Sequence, residues 1–164
     1  MKVRYNIVDN FLDKDSFIKL KDLMCSQVFP WYFAPNGVSK TGKKDGVYHT
    51  HTFYDFDSFN SPEAKPFILP LLNKVAPKSL IRMKANLYPK TYSILEHGPH
   101  TDFDFKHKGF IFYINTNNGF TKLNDGTKIE SIENRGLFFD SSKKHNSSTC
   151  TDSDFRMNIN INYF

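Results

Sequence analysis

The residues best suited to chemistry lie in the segment HGPHTDF and after the segment GLFFD. His100 and Asp102 are two positions apart, so on an extended segment both side chains point the same way and can bind one metal ion. His145 offers a third ligand, because it follows the apolar strand GLFFD and the short polar turn SSKK. Two histidines and one carboxylate leave three coordination positions open, an arrangement typical of non-haem Fe(II) centres. Asp104 shares the strand parity of Asp102, but the shorter spacing from His100 favours Asp102.

The closing segment, DFRMNININYF, alternates between an apolar and a polar face. The polar face carries Arg156, Asn158, Asn160 and Asn162. The planar guanidinium of Arg156 can bind a carboxylate through two parallel hydrogen bonds, and a buried arginine without an anion would be costly. The sequence therefore predicts an anionic ligand in the same barrel as the metal. We expect Asn158 or Asn160 to bond that ligand or an ordered water, and Asn160 and Asn162 to contact the substrate.

The other histidines allow weaker predictions. His49 and His51 share one face of a predicted strand, where they can supply half of a second metal site or line the mouth of a pocket. His97 and His107 stand among turn residues and are interpreted as structural. Trp31, in the aromatic run PWYF, is a candidate stacking platform for a substrate.

The bulk properties favour one ordinary domain. The chain has 164 residues, a net charge of +5 and a pI near 9.1, a balance that attracts anions without identifying one. Cys25 and Cys150 are far apart and form no CxxC motif, which favours a reduced compartment. No apolar run approaches bilayer length and no signal peptide is recognisable, so we expect a soluble, cytoplasmic protein.

The pattern of elements places helices before strands. A strand is predicted over 3–8, then a helix capped by Asp13 or Asp15, and a second helix with Ser61 as its cap, Pro62 at its first position and a kink at Pro70. From Leu80 onward, short strands follow one another, including the stretch around HTDF. The tripeptide NDG at 124–126 predicts a hairpin.

Many short antiparallel strands preceded by two helices predict a β-dominated α+β fold. We expect a double-stranded β-helix, a jelly-roll or cupin-like barrel, backed by the N-terminal helices. Residues 1–164 then form a single domain. Its first part, 1–79, holds the strand, the helices and a variable loop, and 80–164 hold the barrel.

Four segments carry a resemblance to a known family: HTD, FYIN at 112–115, RGLFFDSSKKH and FRMNININYF. In order, spacing and strand context they resemble the Fe(II)- and 2-oxoglutarate-dependent dioxygenases, and within these the compact prolyl 4-hydroxylase-like branch. The resemblance covers roughly 80–164. It departs from the prolyl hydroxylases in the last strand, where three asparagines replace a mixture of small, hydroxyl and aromatic residues.

The resemblance implies a role for six residues. His100, Asp102 and His145 would bind Fe(II), and Arg156 would pair with the distal carboxylate of 2-oxoglutarate. Tyr88, in NLYPK, and Tyr113, in FYIN, match the family tyrosines that contact this cosubstrate. O2 is the second cosubstrate, and ascorbate is expected to stimulate turnover.

The implied reaction is hydroxylation of a C–H bond coupled to decarboxylation of 2-oxoglutarate to succinate. A peptidyl, prolyl-type substrate is the first choice because of the branch resembled, with the basic loop Ser39–Gly46 as a lid. The same loop, with PWYF, also suits a nucleic-acid substrate, and a free amino acid or other small molecule remains open. Two further alternatives are a non-catalytic jelly-roll binding module and a cupin-like metalloenzyme that uses His49 and His51.

Overall fold

The computed structural model describes residues 5–34 and 46–164. Two helices, one 3₁₀ turn and eleven strands are present in this part of the chain. In chain order they are β1 Asn6–Val8, α1 Lys14–Cys25, β2 Tyr32–Ala34, β3 Tyr48–Asp55, β4 Ser58–Phe59, the 3₁₀ turn Pro62–Ala64, α2 Lys65–Val75, β5 Leu80–Pro89, β6 Lys108–Tyr113, β7 Asn117–Leu123, β8 Lys128–Ser131, β9 Arg135–Phe139, β10 His145–Ser147 and β11 Phe155–Tyr163.

The strands form two antiparallel sheets that face each other. The major sheet has eight strands in the order β1-β9-β6-β11-β5-β3-β2, with β4 paired to β3. The minor sheet has three strands in the order β10-β7-β8. Arg156 of β11 donates hydrogen bonds to Thr121 of β7 and Ser131 of β8, so side chains cross between the sheets. This architecture confirms the predicted β-dominated jelly roll.

The alternation in β11 separates two buried environments. Met157, Ile159 and Ile161 face the helices and join the apolar core with Leu20 and Ile68. The residues between them face the barrel interior, and these are Arg156, Asn158, Asn160 and Asn162, all 8% exposed or less. Both faces of β11 are therefore inside the protein.

The predicted side-chain cap of the first helix is confirmed, and that of the second is not. Asp13 caps α1, because its Oδ1 accepts the Ser16 N–H at 2.9 Å. Ser61 precedes the 3₁₀ turn but makes no side-chain capping bond, and its hydroxyl pairs with His51 Nε2 at 2.6 Å instead. Pro70 lies inside α2. No helix within the described ranges is both long and apolar enough to cross a bilayer.

Of two further predictions, the hairpin at NDG is confirmed and the strand around HTDF is wrong. The NDG turn connects β7 to β8 as an antiparallel hairpin, with Gly126 at a φ of +87°, so this prediction is confirmed. The predicted strand around HTDF is wrong: of those residues only His100 pairs, in a single bridge with His145, and the segment beyond it is irregular.

Candidate functional site

The structure brings the three predicted metal ligands together. His100 and His145 exchange two backbone hydrogen bonds of 2.9 Å, which set their imidazole centroids 4.9 Å apart. One ligand atom from each of His100, Asp102 and His145 lies within 4.8 Å of the other two. In the described part of the chain this is the one group of three or more such side chains able to hold a metal, and the rival Asp104 is exposed to solvent.

Backbone carbonyls orient both imidazoles. The Nδ1–H of His100 donates to the carbonyl of Gly98 at 3.2 Å, and that of His145 donates to the carbonyl of Lys143 at 3.0 Å. A carbonyl can only accept, so each Nδ1 carries the proton and each Nε2 keeps its lone pair. Burial, with the neighbouring His145, lowers the pKa of His100, which favours the neutral form that metals require.

Four donors surround the carboxylate of Asp102. Arg82 Nη2 donates to Oδ1 at 3.0 Å, while Oδ2 accepts bonds from Ser141 at 2.8 Å, Asn160 at 3.2 Å and Asn162 at 2.8 Å. Burial alone would raise the pKa of this carboxyl, but His145 when its imidazole is protonated, the Arg82 guanidinium and the hydrogen bonds from Asn162 and Ser141 hold it well below its usual range. Asp102 is therefore an ionised, fixed ligand.

Arg156 is a fully buried cation with one free donor. Its Nε donates to Ser131 at 2.7 Å and its Nη2 to Thr121 at 3.1 Å, but Nη1 has no hydrogen-bond partner in the part of the chain that the structure describes. None of the ion pairs among the described residues includes Arg156. An ionised group with no counter-ion in such a place is expensive, and an incoming carboxylate would satisfy it.

Two tyrosines border the guanidinium of Arg156. The Tyr88 and Tyr113 ring centroids lie 5.4 and 5.7 Å from Arg156 Cζ. Tyr88 pairs with Arg156 in register, and the Tyr113 hydroxyl donates to Thr121 at 2.9 Å. Burial raises the pKa of both phenols, so they stay protonated. Each has one O–H to donate, and that of Tyr113 would have to turn away from Thr121 to reach an anion. Both predicted cosubstrate-contacting tyrosines thus lie at the arginine.

All three asparagines of β11 form side-chain hydrogen bonds, two of them with the same residue. Asn160 and Asn162 donate to Asp102, so they hold a metal ligand instead of standing free in the pocket. Asn158 accepts a hydrogen bond of 3.0 Å from Asn86 of β5. The Oδ1 of Asn160 is buried, and no residue in 5–34 or 46–164 donates to it, so it is an unused acceptor in the interior.

His49, His51 and Trp31 lie away from this site, which corrects the prediction that they line it. His49 and His51 pair with Leu87 and Ala85 in register, the residues of β5 that face the helical core. His51 is fully engaged, with Nδ1 at 2.9 Å from the Pro30 carbonyl and Nε2 on Ser61. Trp31 packs against the same core and donates to the Met24 carbonyl at 3.1 Å.

Several site residues were missed in the sequence. They are Arg82, Lys84, Gly119, Thr121, Ser131 and Ser141. For Arg82 and Lys84 a signal existed, because both share the strand parity of the predicted Tyr88. Lys84 lies half-buried in the interior, where burial lowers its pKa to about 8. Of the predicted basic loop Ser39–Gly46, only Gly46 belongs to the described residues.

The donor set fits a ferrous ion and a dicarboxylate. Two neutral imidazole nitrogens and one ionised carboxylate match the two-histidine, one-carboxylate ligation of non-haem Fe(II). Arg156 lies four residues before Asn160 on the same face of β11, about 13 Å along the strand. A ligand that bridges the metal and Arg156 would satisfy both.

No protein-family model matches the sequence, and no curated protein matches it either. Solved structures do match. A 2OG-Fe(II) oxygenase family oxidoreductase from Burkholderia pseudomallei is 12% identical with a TM-score of 0.70, over 97% of this chain and 84% of that one. A prolyl hydroxylase from Trichoplax adhaerens, in complex with a hypoxia inducible factor peptide fragment, is 15% identical with a TM-score of 0.66, over 98% and 83%.

A third similar structure is described with a small molecule and not with a peptide. The epimerase SnoN, in complex with Fe³⁺, alpha ketoglutarate and nogalamycin RO, is 12% identical with a TM-score of 0.63, over 99% of this chain and 79% of that one. At such identities these likenesses establish a shared fold. The fold of this chain is thus that of 2OG-Fe(II) oxygenases, and its chemistry has to be argued from the site.

Proposed function

We propose that this chain is an Fe(II)- and 2-oxoglutarate-dependent dioxygenase that hydroxylates a C–H bond. The observation that carries the proposal is the pairing of two features in one barrel. Three metal-binding side chains converge within 4.8 Å, and a fully buried arginine points an unpartnered donor into the same interior. Neither feature has a structural purpose without its ligand.

His100, Asp102 and His145 would hold the ferrous ion. Together with bound 2-oxoglutarate, the iron would supply the activation of O2 and the oxidation of the substrate, with succinate and CO2 as by-products. Hydrogen bonds within the protein orient the three ligands. Backbone carbonyls accept from the two imidazoles, and the carboxylate accepts from Arg82, Ser141, Asn160 and Asn162. Such outer partners commonly change metal affinity 10- to 100-fold.

Arg156 would bind the distal carboxylate of 2-oxoglutarate, with Tyr113 and Tyr88 beside it. This end of the barrel is dry, because a buried apolar cluster surrounds Tyr113, formed by Ile111, Leu123, Ile129, Leu137 and Phe139. Exclusion of water strengthens a charge-assisted bond between guanidinium and carboxylate. The same surroundings fix the cosubstrate in one orientation.

The first candidate for the substrate is a peptidyl, prolyl-type residue. That choice follows the likeness to prolyl hydroxylases, one of which is described with a peptide. A small-molecule substrate is the second candidate. It is favoured by the polar, cationic wall of β5 and β11 and by the likeness to an epimerase described with nogalamycin RO.

The proposal is tested by succinate formation from 2-oxoglutarate with added Fe(II) and ascorbate, first without a substrate. We expect slow metal-dependent turnover that ascorbate stimulates and that His145→Ala abolishes. His49→Ala is the matched control, because His49 lies on the opposite face of β3 and should leave turnover intact. Turnover that survives His145→Ala would contradict the proposal. Binding of 2-oxoglutarate with no succinate would instead indicate a non-catalytic binding module.

A further inference from the structure

Lys84 is a cation inside the barrel that the proposed reaction does not use. It lies on the inner face of β5, in register with Thr52 of β3 on one side and Asn160 of β11 on the other. Its ammonium lies 5.8 Å from the ring centroid of Tyr48. It makes no hydrogen bond or ion pair with any residue in 5–34 or 46–164. A half-buried ammonium in this position lacks an anion.

The neighbours of Lys84 on this wall are largely engaged. Arg82 Nη2 donates to Asp102 and to Asn162 Oδ1, although Arg82 Nε has no partner among the described residues, and Asn86 donates to Asn158. Asp102, and to a smaller extent Asp55 near the end of β3, act on Lys84 through their charges. Neither carboxylate forms an ion pair with Lys84, and the Oδ1 of Asp55 accepts the Phe56 N–H. Among the described residues of this wall, the polar groups left without a partner are the ammonium of Lys84, the Nε of Arg82 and the Oδ1 of Asn160.

Bound iron and cosubstrate would leave this wall positively charged. Asp102 and the metal-binding carboxylate of 2-oxoglutarate together offset the ferrous ion, and the distal carboxylate offsets Arg156. The remaining charges of the described residues on this wall are positive at Arg82 and Lys84 and negative at Asp55. One positive charge is thus in excess, and a low-dielectric interior makes such an excess costly.

Resting on the proposed function, we propose that the substrate carries a carboxylate and that Lys84 binds it. One excess charge matches one carboxylate, and a flexible ammonium binds an anion as a point charge. Directly opposed residues on paired strands have Cβ atoms about 4.5–5.5 Å apart. Lys84 therefore holds the carboxylate next to Asn160, which itself contacts the metal ligand Asp102. The reacting C–H bond then lies only a few atoms from the carboxylate, and Asn160 Oδ1 accepts a donor of the substrate.

Two sources can supply this carboxylate: a free amino acid or small acid, and an acidic side chain of a peptide. Acid and amide pairs distinguish them. L-proline is compared with L-prolinamide, and acetylated, amidated Gly-Pro-Asp with its Gly-Pro-Asn counterpart. Stimulated succinate formation is measured for each compound. Calorimetry under anaerobic conditions measures binding of the same compounds to protein loaded with Fe(II) and 2-oxoglutarate.

We expect an acid to stimulate turnover and bind, and its amide to be at least tenfold weaker in both measurements. Lys84→Met should raise KM and Kd for that acid on the order of 10- to 100-fold, and Lys84→Arg should restore part of the loss. Lys19→Met, an exposed lysine of α1, is the matched control and should change neither constant. The member of the panel that responds identifies the source.

Equal stimulation by acid and amide would overturn the proposal, as would an unchanged KM in Lys84→Met. Failure of every acid to stimulate or bind, while substrate-free succinate formation persists, would also overturn it. Absence of succinate in all arms would instead contradict the proposed function. In that case the calorimetric comparison of acid with amide, and of native protein with Lys84→Met, still decides whether Lys84 binds a carboxylate.

Discussion

The side chain of Arg156 crosses β7 at Gly119, and it does so because Gly119 has no side chain. A Cβ at this position would lie 2.6 Å from Arg156 Cδ. It would also lie 2.7 Å from the Thr149 carbonyl oxygen and 2.9 Å from Asn117 Oδ1. Since one of these neighbours is backbone, side-chain movement alone cannot make room for a methyl group, and both the Arg156 side chain and the local backbone must shift.

Gly119→Ala should therefore weaken binding of 2-oxoglutarate. We expect at least a tenfold rise in Kd, measured by calorimetry on the metal-loaded protein, and a loss of about 1–3 kcal/mol in the free energy of unfolding from overpacking. Gly126→Asn is the control, because that glycine has open space and a positive φ that asparagine tolerates. An alanine variant with native affinity would show that Arg156 does not bind the cosubstrate.

Arg156→Met should separate stability from ligand binding. The native guanidinium is buried with no carboxylate partner among the described residues. Burial of its charge therefore destabilises the fold by more than its hydrogen bonds to the two hydroxyls stabilise it. We expect the ligand-free variant to melt at or above the native Tm. 2-Oxoglutarate should raise the Tm of the metal-loaded native protein and leave that of the variant unchanged. A large fall in the ligand-free Tm would show that Arg156 is chiefly structural.

Adjacent serines provide a matched pair at the metal ligand. Ser141 is buried and donates to Asp102, whereas the Ser142 hydroxyl bonds Asp140. Ser141→Ala should lower the affinity for Fe(II) about 10- to 100-fold, because the carboxylate loses a fixed donor. Ser142→Ala should leave it unchanged. Titration of the anaerobic apoproteins measures both. Equal affinities would imply that Arg82, Asn160 and Asn162 position Asp102 without help.

Much of the fold follows from local rules that leave visible patterns. The period of two in β11 sets one face against the helices and one face inside the barrel, and the NDG turn determines a hairpin. The HTDF segment breaks these rules. One bridge to His145 and side-chain bonds to Asp102 hold it, and such long-range contacts have no signature in the local sequence.

The site was predictable where one face of a strand was fixed by a known neighbour. Arg156, Tyr88 and Tyr113 follow from strand parity and the family resemblance. The positions of His49 and His51 could not be predicted in this way. Both faces of β3 are covered, so the alternation of its side chains does not show which face lines the barrel interior. Thr50 and Thr52 pair with the inward-facing Asn86 and Lys84, so the histidines point to the helices.

The position of His51 leads to a prediction about stability and pH. Its ring lies 4.5 Å from that of Phe29 and 4.7 Å from that of Phe53, measured between centroids, and it is 3% exposed. Burial lowers the pKa of His51, against the opposing effect of the Pro30 carbonyl. Nδ1–H donates to that carbonyl, so in the neutral ring Nε2 accepts from the Ser61 hydroxyl, and protonation of Nε2 forces this hydroxyl to turn and accept instead.

Because the folded pKa of His51 lies below the unfolded value of about 6.5, the unfolded chain takes the proton first. The contribution to stability is therefore complete above pH 6.5 or so and is lost as the pH falls below it. The lowered pKa of His100 adds a loss of stability over the same pH range.

We expect the free energy of unfolding, measured by urea denaturation with a chelator present, to fall between pH 7.5 and 5.5, and to fall less steeply in His51→Gln. The carboxylate of Asp102 titrates far below this window in the folded protein and at about 3.9 in the unfolded chain, so it does not contribute. Parallel pH curves for the native protein and His51→Gln would show that the fold tolerates a charged His51.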